Sequence, residues 1–381
     1  MTPVAGSGWD IAVVGAGIAG ASVAAELAPF ARVVLLEREA QPGYHTTGRS
    51  AALFSETYGP PAIRALSRAS APFFRAPPAG FAAGPLLSPR GVLMVGRADQ
   101  AEALARLAEE VAPHGNGRLL DAAETEAMLP LLRPGYVGGA VFEDGASDID
   151  VHALHQGFLR RFRDCGGTIA TGHELLGLSR EGAGWRVSTS RGDLRAAILV
   201  NAAGAWADEI GRMAGARGVG LVPKRRTAMI VAAPAGVDPG PWPMAVDIDE
   251  EFYLKPDAGR LLISPADETP SPPCDAQPEE IDIAICIDRI ERAFALSVGR
   301  VENKWAGLRS FVADKSPVAG YDADVEGLFW LAGQGGYGIQ TSPALGRCAA
   351  SLVLRKPIPG EIAAQGVTSA ALSPARLGAT A

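Results

Sequence analysis

Apolar and polar positions along the chain fall into stretches of recognisable period, separated by glycine- and proline-rich segments. The run Asp10-Ile-Ala-Val-Val-Gly15 is short, β-branched and closed by glycine, which predicts a buried parallel strand. Ile18 to Leu27 is alanine-rich and predicts a helix ending near Pro29, and Arg32-Val-Val-Leu-Leu-Glu-Arg38 predicts a second strand. A βαβ unit is then complete by about residue 38. Residues 40–90 lose the pattern and are rich in Gly, Pro, Ser and Thr, with one helical stretch from Ile63 to Phe74. Such a region is expected to fold over a ligand rather than extend the sheet. Ala101 to Val111 predicts a short amphipathic helix with Leu104, Leu107 and Val111 on one face.

The pattern sharpens again after Asp150. Val151, Leu154, Phe158, Leu159 and Phe162 recur at helical spacing; Asp150 can cap the start, Arg160, Arg161 and Arg163 suit the negative end, and Gly166-Gly167 stops it. Trp185–Ser190 and Ala196–Ala203 read as strands, the second running into a turn at Gly204. Residues 221–313 read mostly as strands and turns with one helix near Glu291–Ser297. Leu328-Phe-Trp-Leu-Ala332 is an apolar run that meets the turn Gly333-Gln-Gly-Gly-Tyr-Gly338 and a helix-like segment. The last 25 residues read as a loosely attached tail. The fold class is α/β: a nucleotide-binding domain assembled from separated segments, with two insertions forming a second, mostly antiparallel domain.

The 381 residues suffice for two domains with a substantial core. A net charge of −7 argues against a nucleic-acid surface, which needs clustered Lys and Arg. Cys165, Cys274, Cys286 and Cys348 show no C-x-x-C spacing, so neither a disulfide framework nor a metal site is expected. The first ten residues carry no Lys or Arg, and the apolar stretch 11–25 is shorter than the roughly 20 residues of a membrane span. A cytoplasmic protein without a transmembrane segment is expected.

Gly15-Ala16-Gly17-Ile18-Ala19-Gly20 fits the dinucleotide fingerprint G-x-G-x-x-G. The first glycine allows the tight turn, the second the approach of a pyrophosphate, and the third close packing of helix on sheet, while the helix N-terminus favours the negative charge. Glu37, twenty residues after Gly17, is placed to accept hydrogen bonds from ribose hydroxyls. The fingerprint alone leaves NAD and FAD open.

The segment His45-Thr-Thr-Gly-Arg-Ser-Ala-Ala52 offers hydroxyl and guanidinium donors beside small alanines. With it, the chain resembles the FAD-dependent amine and D-amino-acid oxidoreductase family, in which this segment runs along the pyrophosphate and flavin ring. Asn201–Ala207 is similar to the family's second strand–turn, and Trp305, Gly307, Arg309, Asp314, Pro317 and Gly320 match its substrate-arginine signature. The resemblance covers nearly the whole chain and is strongest to the D-arginine dehydrogenase branch, through stretches such as P-L-L-S-P-R, L-H-Q-G, P-K-R-R, F-Y-L-K-P-D-A-G and W-A-G-L-R-S-F-V-A-D. It implies a Rossmann-like FAD-binding domain from residues 8–55, 145–218 and 314–360, a substrate domain from 56–144 and 219–313, and a tail over 361–381.

The resemblance also implies non-covalent FAD and oxidative deamination of an amino acid, with electrons passed to a quinone or another acceptor. Expected cofactor contacts are the fingerprint residues, Glu37, Arg38, Thr47, Gly48, Arg49, Ser50, Ala51, Ala52, Leu175, Ala203, Gly204 and Trp206. To these the second glycine turn adds Gly333, Gly335, Gly336, Tyr337, Gly338, Ile339 and Gln340. Arg309 and Arg226 are the expected carboxylate pair, since a planar guanidinium suits bidentate binding. From the residues alone, Arg226 beside Lys224 and Arg225 also fits a solvated basic face, and Tyr253 an amphipathic strand. By resemblance Tyr253 lies at the substrate carboxylate and Tyr58 on a covering loop. Gly336 would offer its carbonyl to the amine, and Gln340 its amide near the ring.

Leu53, Ser55, Val92, Met244 and Val246 are the expected side-chain pocket. Here the chain departs from the D-arginine branch: Val92 stands where that branch carries a glutamate, and Leu53 where it carries a histidine. An apolar or uncharged D-amino acid is therefore expected, with Glu56 read as a surface carboxylate of the loop. Three alternatives stay open: an oxygen-using oxidase of D-amino acids, glycine or secondary amines; a 2-hydroxy-acid dehydrogenase; and a flavin-binding sensor or assembly subunit without turnover.

Overall fold

A computed structural model of the protein describes residues 4, 6, 8–115 and 117–378. The strand Gly8–Val14 pairs in parallel with Val33–Leu36 on one side and with Gly192–Asn201 on the other. Gly192–Asn201 pairs in parallel in turn with Leu328–Ala332. All four strands therefore end at one edge of the sheet. There the chain continues into Gly15, Glu37, Ala202 and Gly333, so residues distant in sequence surround one crevice beyond the carboxyl ends, the usual ligand position in such sheets. The hairpin Leu175–Glu181 and Gly184–Thr189 extends the sheet antiparallel to Gly192–Asn201.

The helix Ile18–Leu27 has the bounds that its pattern predicts, and it packs with Gly338–Val353 and Val151–Asp164 on this sheet. The Asp150 carboxylate accepts the Ala153 N–H at 2.8 Å, as its cap position requires.

The second layer is an eight-stranded sheet. Its spatial order is Val301–Phe311, Val222–Ala232, Arg260–Ser264, Tyr253–Asp257, Met244–Asp247, Val92–Gly96, Gly139–Glu143 and Arg118–Asp121. Side chains alternate between the two faces of a strand. Leu93, Val95, Met229, Ala245, Leu254 and Ile263 project to one face and bury themselves against Cys286, Ile290, Ala293 and Phe294. The opposite face carries Arg309, Arg226, Tyr253, Val246, Met244 and Val92, and this face looks toward the crevice of the first sheet. A small third sheet, Leu53–Phe54, Ser147–Ile149 and Leu87–Pro89, lies beside them. The 40–90 region thus adds two short strands but leaves the main sheet unextended.

Two expectations are corrected. The helix of the substrate domain spans Glu280–Ala293, not the stretch around Glu291–Ser297. Isoleucines at 281, 283, 285 and 287 give this segment a strand-like period of two. Helical burial of Asp282, Cys286, Ile290 and Ala293 against the sheet prevails, and Arg225 on that sheet pairs with Asp282 at 2.8 Å. The C-terminal stretch is not loose over its described part. Ile362, Val367 and Leu372 are buried in the core of the nucleotide-binding half, and Arg376 bonds Asp314 at 2.8 Å. No helix among the described residues is long and apolar enough to cross a membrane.

Leu372 is 1% exposed. Leu372→Ala is expected to destabilise the protein by about 2–5 kcal/mol. The check is the urea midpoint, which a loose tail would leave unchanged.

Candidate active site

The crevice at the carboxyl edge of the first sheet encloses about 440 Å³, within the range of roughly 300–1,000 Å³ common for cofactor sites. Gly15 has φ +98°, and a Cβ there would lie 2.5 Å from the Ala202 carbonyl oxygen. A Cβ on Gly20 would lie 1.8 Å from the Gly15 carbonyl oxygen, so the helix can approach the strand only through glycine. Beside Gly17 the nearest group is the Thr47 hydroxyl, which leaves its backbone open to the crevice.

Glu37 is buried. One of its oxygens accepts the Ala16 N–H at 2.9 Å and the other the Glu39 N–H at 3.0 Å, which holds the turn against the next strand. A carboxylate retains further lone pairs after these bonds, and Glu37 still lines the crevice. Thr47 accepts the Ile18 N–H at 3.0 Å. His155, absent from the expected site, bonds the Ala16 carbonyl at 2.9 Å; burial lowers its pKa, so it donates as a neutral ring.

Ile18, Ala19, Arg38, Ser50, Ala51, Leu175, Ala203, Gly204, Trp206, Gly335, Gly336, Gly338 and Ile339 line the same crevice. The Arg38 guanidinium stacks over the Trp206 ring at 5.0 Å. Other expected cofactor contacts stand behind the surface. Ala16 is enclosed by Glu37 and His155, Gly48 donates to the Gly43 carbonyl at 2.8 Å, and Gly333 packs against Val312. Ala52 and Gln340 line the adjoining cavity, and Tyr337 packs on Tyr58 and Phe311.

Arg49 lines the crevice but directs its guanidinium elsewhere. It donates to the Ala276 and Ala306 carbonyls, both at 2.9 Å, and pairs with Asp275. Its donors therefore tie the 45–52 loop to the substrate domain, a bracing role that the sequence did not suggest.

Two buried polar atoms lining the crevice, Ser310 Oγ and Gln334 Nε2, have no protein partner. Unsatisfied buried donors and acceptors are uncommon in native structures. Together with the glycine turn and the helix N-terminus, they fit a bound dinucleotide with hydrogen-bonding groups along its length.

A narrower cavity opens from the crevice under the second sheet. Arg226 pairs in register with Gly307 and Arg309 with Lys224, so both arginines project from one face of two adjacent strands. Arg226 is 6% exposed, which removes the solvated-face reading. The run Lys224-Arg225-Arg226 divides by alternation: Arg225 turns to the opposite face and pairs with Glu279 and Asp282. Arg226 donates through Nε to the Asp267 carbonyl at 2.9 Å and reaches Glu268 and Glu250 at 3.5 and 3.7 Å.

Beyond its backbone ladder with the strand of Lys224, Arg309 makes no hydrogen bond or ion pair among the described residues, and its side chain lines the cavity. A Cβ on Gly336 would meet its guanidinium at 2.8–3.0 Å, so glycine is the residue that lets it lie across the second turn. Gly335, at φ +56°, gives the Phe311 ring its place in the same way.

Tyr253 and Tyr58 face these arginines. Burial, and next the Glu250 carboxylate, push the Tyr58 phenol up to about 12, which keeps it a proton donor. Glu250, the acid beside Tyr58 and Arg226, was missed. It occupies a left-handed turn position (φ +57°) between two strands, and nothing in Asp-Glu-Glu marks it as inward-facing. Gln340 accepts the Ser55 N–H through Oε1 at 3.2 Å, while its Nε2 is buried without a partner.

Away from the arginine strands the cavity is apolar, formed by Leu53, Val92, Met94, Met244 and Val246, with Ser55 beside them. Met94 was missed although the period-two rule from Val92 could have found it. Glu56 pairs with Arg75 at 2.8 Å and does not line the cavity.

Comparisons with known proteins follow the same lines. An uncharacterized oxidoreductase of Bacillus subtilis, YurR, is 28% identical over 266 residues, which span 68% of each chain. Human mitochondrial dimethylglycine dehydrogenase is 28% identical over 150 residues, 39% of this chain and 17% of that longer one. The crystal structure of glycine oxidase from Geobacillus kaustophilus superposes with a TM-score of 0.80 at 24% identity, covering 92% of this chain and 95% of that one. A family match extends over residues 10–352 and carries the description FAD dependent oxidoreductase. The chain belongs to this FAD-dependent oxidoreductase family, DAO, and FAD is its cofactor.

Proposed function

We propose that the protein is a D-amino-acid dehydrogenase acting on substrates with apolar or uncharged side chains. The observation that carries this reading is a half-buried Arg309 guanidinium without a hydrogen-bonded partner, beside the buried Arg226, at one end of a cavity whose other end is apolar. A guanidinium that lines a cavity with its hydrogen-bond donors unused, beside a second arginine, favours an anionic ligand. The α-carboxylate of an amino acid supplies that charge, and a guanidinium holds it through two parallel hydrogen bonds. Tyr253 and the protonated Tyr58 add hydroxyl donors. The carbonyl of Gly336 accepts from the amine, and the free Nε2 of Gln340 donates to an acceptor on the ligand.

Fixing the carboxylate at one end and the side chain at the other orients the α-carbon, an effect worth several kcal/mol in favourable cases. The two arginines and burial both disfavour an ammonium, so the substrate amine sheds its proton before oxidation. FAD held along the crevice would supply the two-electron acceptor for the α-C–H, and the resulting imino acid would be hydrolysed by water to a 2-keto acid and ammonia. A quinone or similar acceptor then takes the electrons.

The D configuration and the dehydrogenase assignment rest on the resemblance to the D-arginine branch. The substrate preference departs from that branch because the cavity's one lining acid, Glu250, stands at the arginine end. An amine oxidase is the second reading, favoured by the sequence similarity to glycine oxidase. A 2-hydroxy acid would present the same carboxylate. A flavin-binding protein without turnover would have no use for the unpartnered arginine.

Anaerobic flavin reduction by paired D- and L-amino acids tests the reading. D-leucine, D-methionine and D-phenylalanine are expected to bleach the flavin at lower concentration than D-arginine or D-lysine, with the L-forms inactive. Faster reduction by D-arginine would overturn the preference. Bleaching by no amino acid would overturn the activity, and stoichiometric hydrogen peroxide in air would replace dehydrogenase by oxidase.

Arg309→Lys should lower kcat/KM by roughly 10- to 100-fold, since lysine keeps the charge but loses the planar fork that makes two parallel hydrogen bonds, each worth about 1.5–3 kcal/mol when charged. A steady-state comparison with wild type reads this directly. Val92→Glu should shift the kcat/KM ratio of D-arginine over D-leucine upward by about tenfold, by supplying a counter-charge at the apolar end.

A further inference from the structure

Glu143 ends the strand Gly139–Glu143, directly opposite Val92 in the ladder, and is 3% exposed. No Lys, Arg or His pairs with it among the described residues. A buried carboxylate without a cation is expensive to keep, so its hydrogen bonds are informative. The donors to its carboxylate, among the described residues, come from the short segment at the substrate cavity. Ser55 Oγ donates at 2.6 Å, Glu56 N–H at 2.8 Å, and the Thr57 hydroxyl donates as well. Burial raises its pKa, while the Ser55, Thr57 and Glu56 donors oppose that shift.

The bonds continue beyond Glu143 into the site. Ser55 Oγ accepts the Tyr58 N–H at 3.1 Å, and the Ser55 N–H donates to Gln340 Oε1 at 3.2 Å. A backbone N–H can be met only by the amide oxygen, so this contact orients Gln340 and leaves its Nε2 free, where it is buried without a partner. Leu53, Ser55 and Tyr58 of the segment line the cavity, whereas Glu143 does not.

We propose that Glu143 is a positioning residue that latches the 55–58 segment over the substrate cavity and, through Ser55, orients Tyr58 and the Gln340 amide toward the ligand. The proposal rests on the substrate assignment above for its kinetic consequence but not for the latch itself. One rung of the ladder then serves two purposes, because Val92 shapes the apolar wall and its partner Glu143 secures the cover.

The test compares flavin-loaded wild type with Glu143→Gln, Glu143→Leu and Thr57→Val. One readout is hydrogen–deuterium exchange at the Glu56 and Tyr58 amides without substrate; the other is anaerobic flavin reduction, split into limiting rate and half-saturating concentration. Glu143→Leu is expected to speed exchange at both amides and to raise half-saturation by about tenfold, the effect of losing charge-assisted hydrogen bonds. Glu143→Gln, which keeps an acceptor oxygen, should recover most of the loss, and Thr57→Val should move both readouts the same way by less. A role confined to stability would lower the melting temperature and leave half-saturation and exchange at these amides as in wild type, which overturns the proposal. Should Glu143→Leu fail to fold, Thr57→Val decides alone, and unchanged readouts overturn the latch. If no amino acid reduces the wild-type flavin, the substrate assignment fails, and the exchange data still judge the latch.

Discussion

A guanidinium that lines a cavity without a hydrogen-bonded partner of its own must be held in place by everything around it. At Arg309 the holding is done by the ladder between Val222–Ala232 and Val301–Phe311, by the glycine at 336, and by the brace from Arg49 to the Ala306 carbonyl on the same strand. None of these contacts neutralises the charge. They fix its position and leave its hydrogen-bonding edge free, as a site complementary to an anionic ligand requires. Arg226, by contrast, is partly engaged by the Asp267 carbonyl and two acids, so the two arginines are not equivalent.

The second sheet can present such a face because its other face is fully committed. Met229, Leu254 and Ile263 lock onto the helix Glu280–Ala293, and Arg225 pairs with Asp282 and Glu279 on that side. A one-residue slip of Val222–Ala232 would exchange Arg225 with Arg226 and bury the wrong partner on each side. The apolar core and the outward ion pairs therefore set the register on which the site depends.

Local structure was legible in the sequence wherever punctuation and period agreed. The helix Ile18–Leu27 lies between a glycine turn and Pro29, and the helix Val151–Asp164 between an Asp cap and two glycines. The glycine fingerprint was legible from the residues themselves, whereas Arg309, Tyr58, Val92, Met244 and Val246 were reached through the family resemblance, and the fold gathers these five around one cavity. What escaped depends on contacts remote in sequence. Alternating isoleucines hid the helix Glu280–Ala293, since local period cannot reveal that a neighbouring sheet offers a partner for Asp282. Glu250 and Glu143 look like surface acids because burial of a carboxylate is decided by donors that other segments bring. The division of Lys224, Arg225 and Arg226 became clear only once strand register was known.

The order of strands across the second sheet gives the proposed substrate a direction. The arginine strands lie at one edge and the strand of Val92 lies beyond those of Tyr253 and Met244, each step adding roughly 4.8 Å. A ligand anchored by its carboxylate must extend its side chain along this line, toward methionine and valine. Rotating it end for end would place an apolar group on two guanidiniums and a carboxylate among side chains with no donor, losing hydrogen bonds at both ends. The same gradient treats a cationic side chain poorly. It would leave water for an apolar wall whose nearest buried acid, Glu143, is already bonded to Ser55, Glu56 and Thr57. The proposed orientation and selectivity thus share one origin, the uneven distribution of charge along a single face of the sheet.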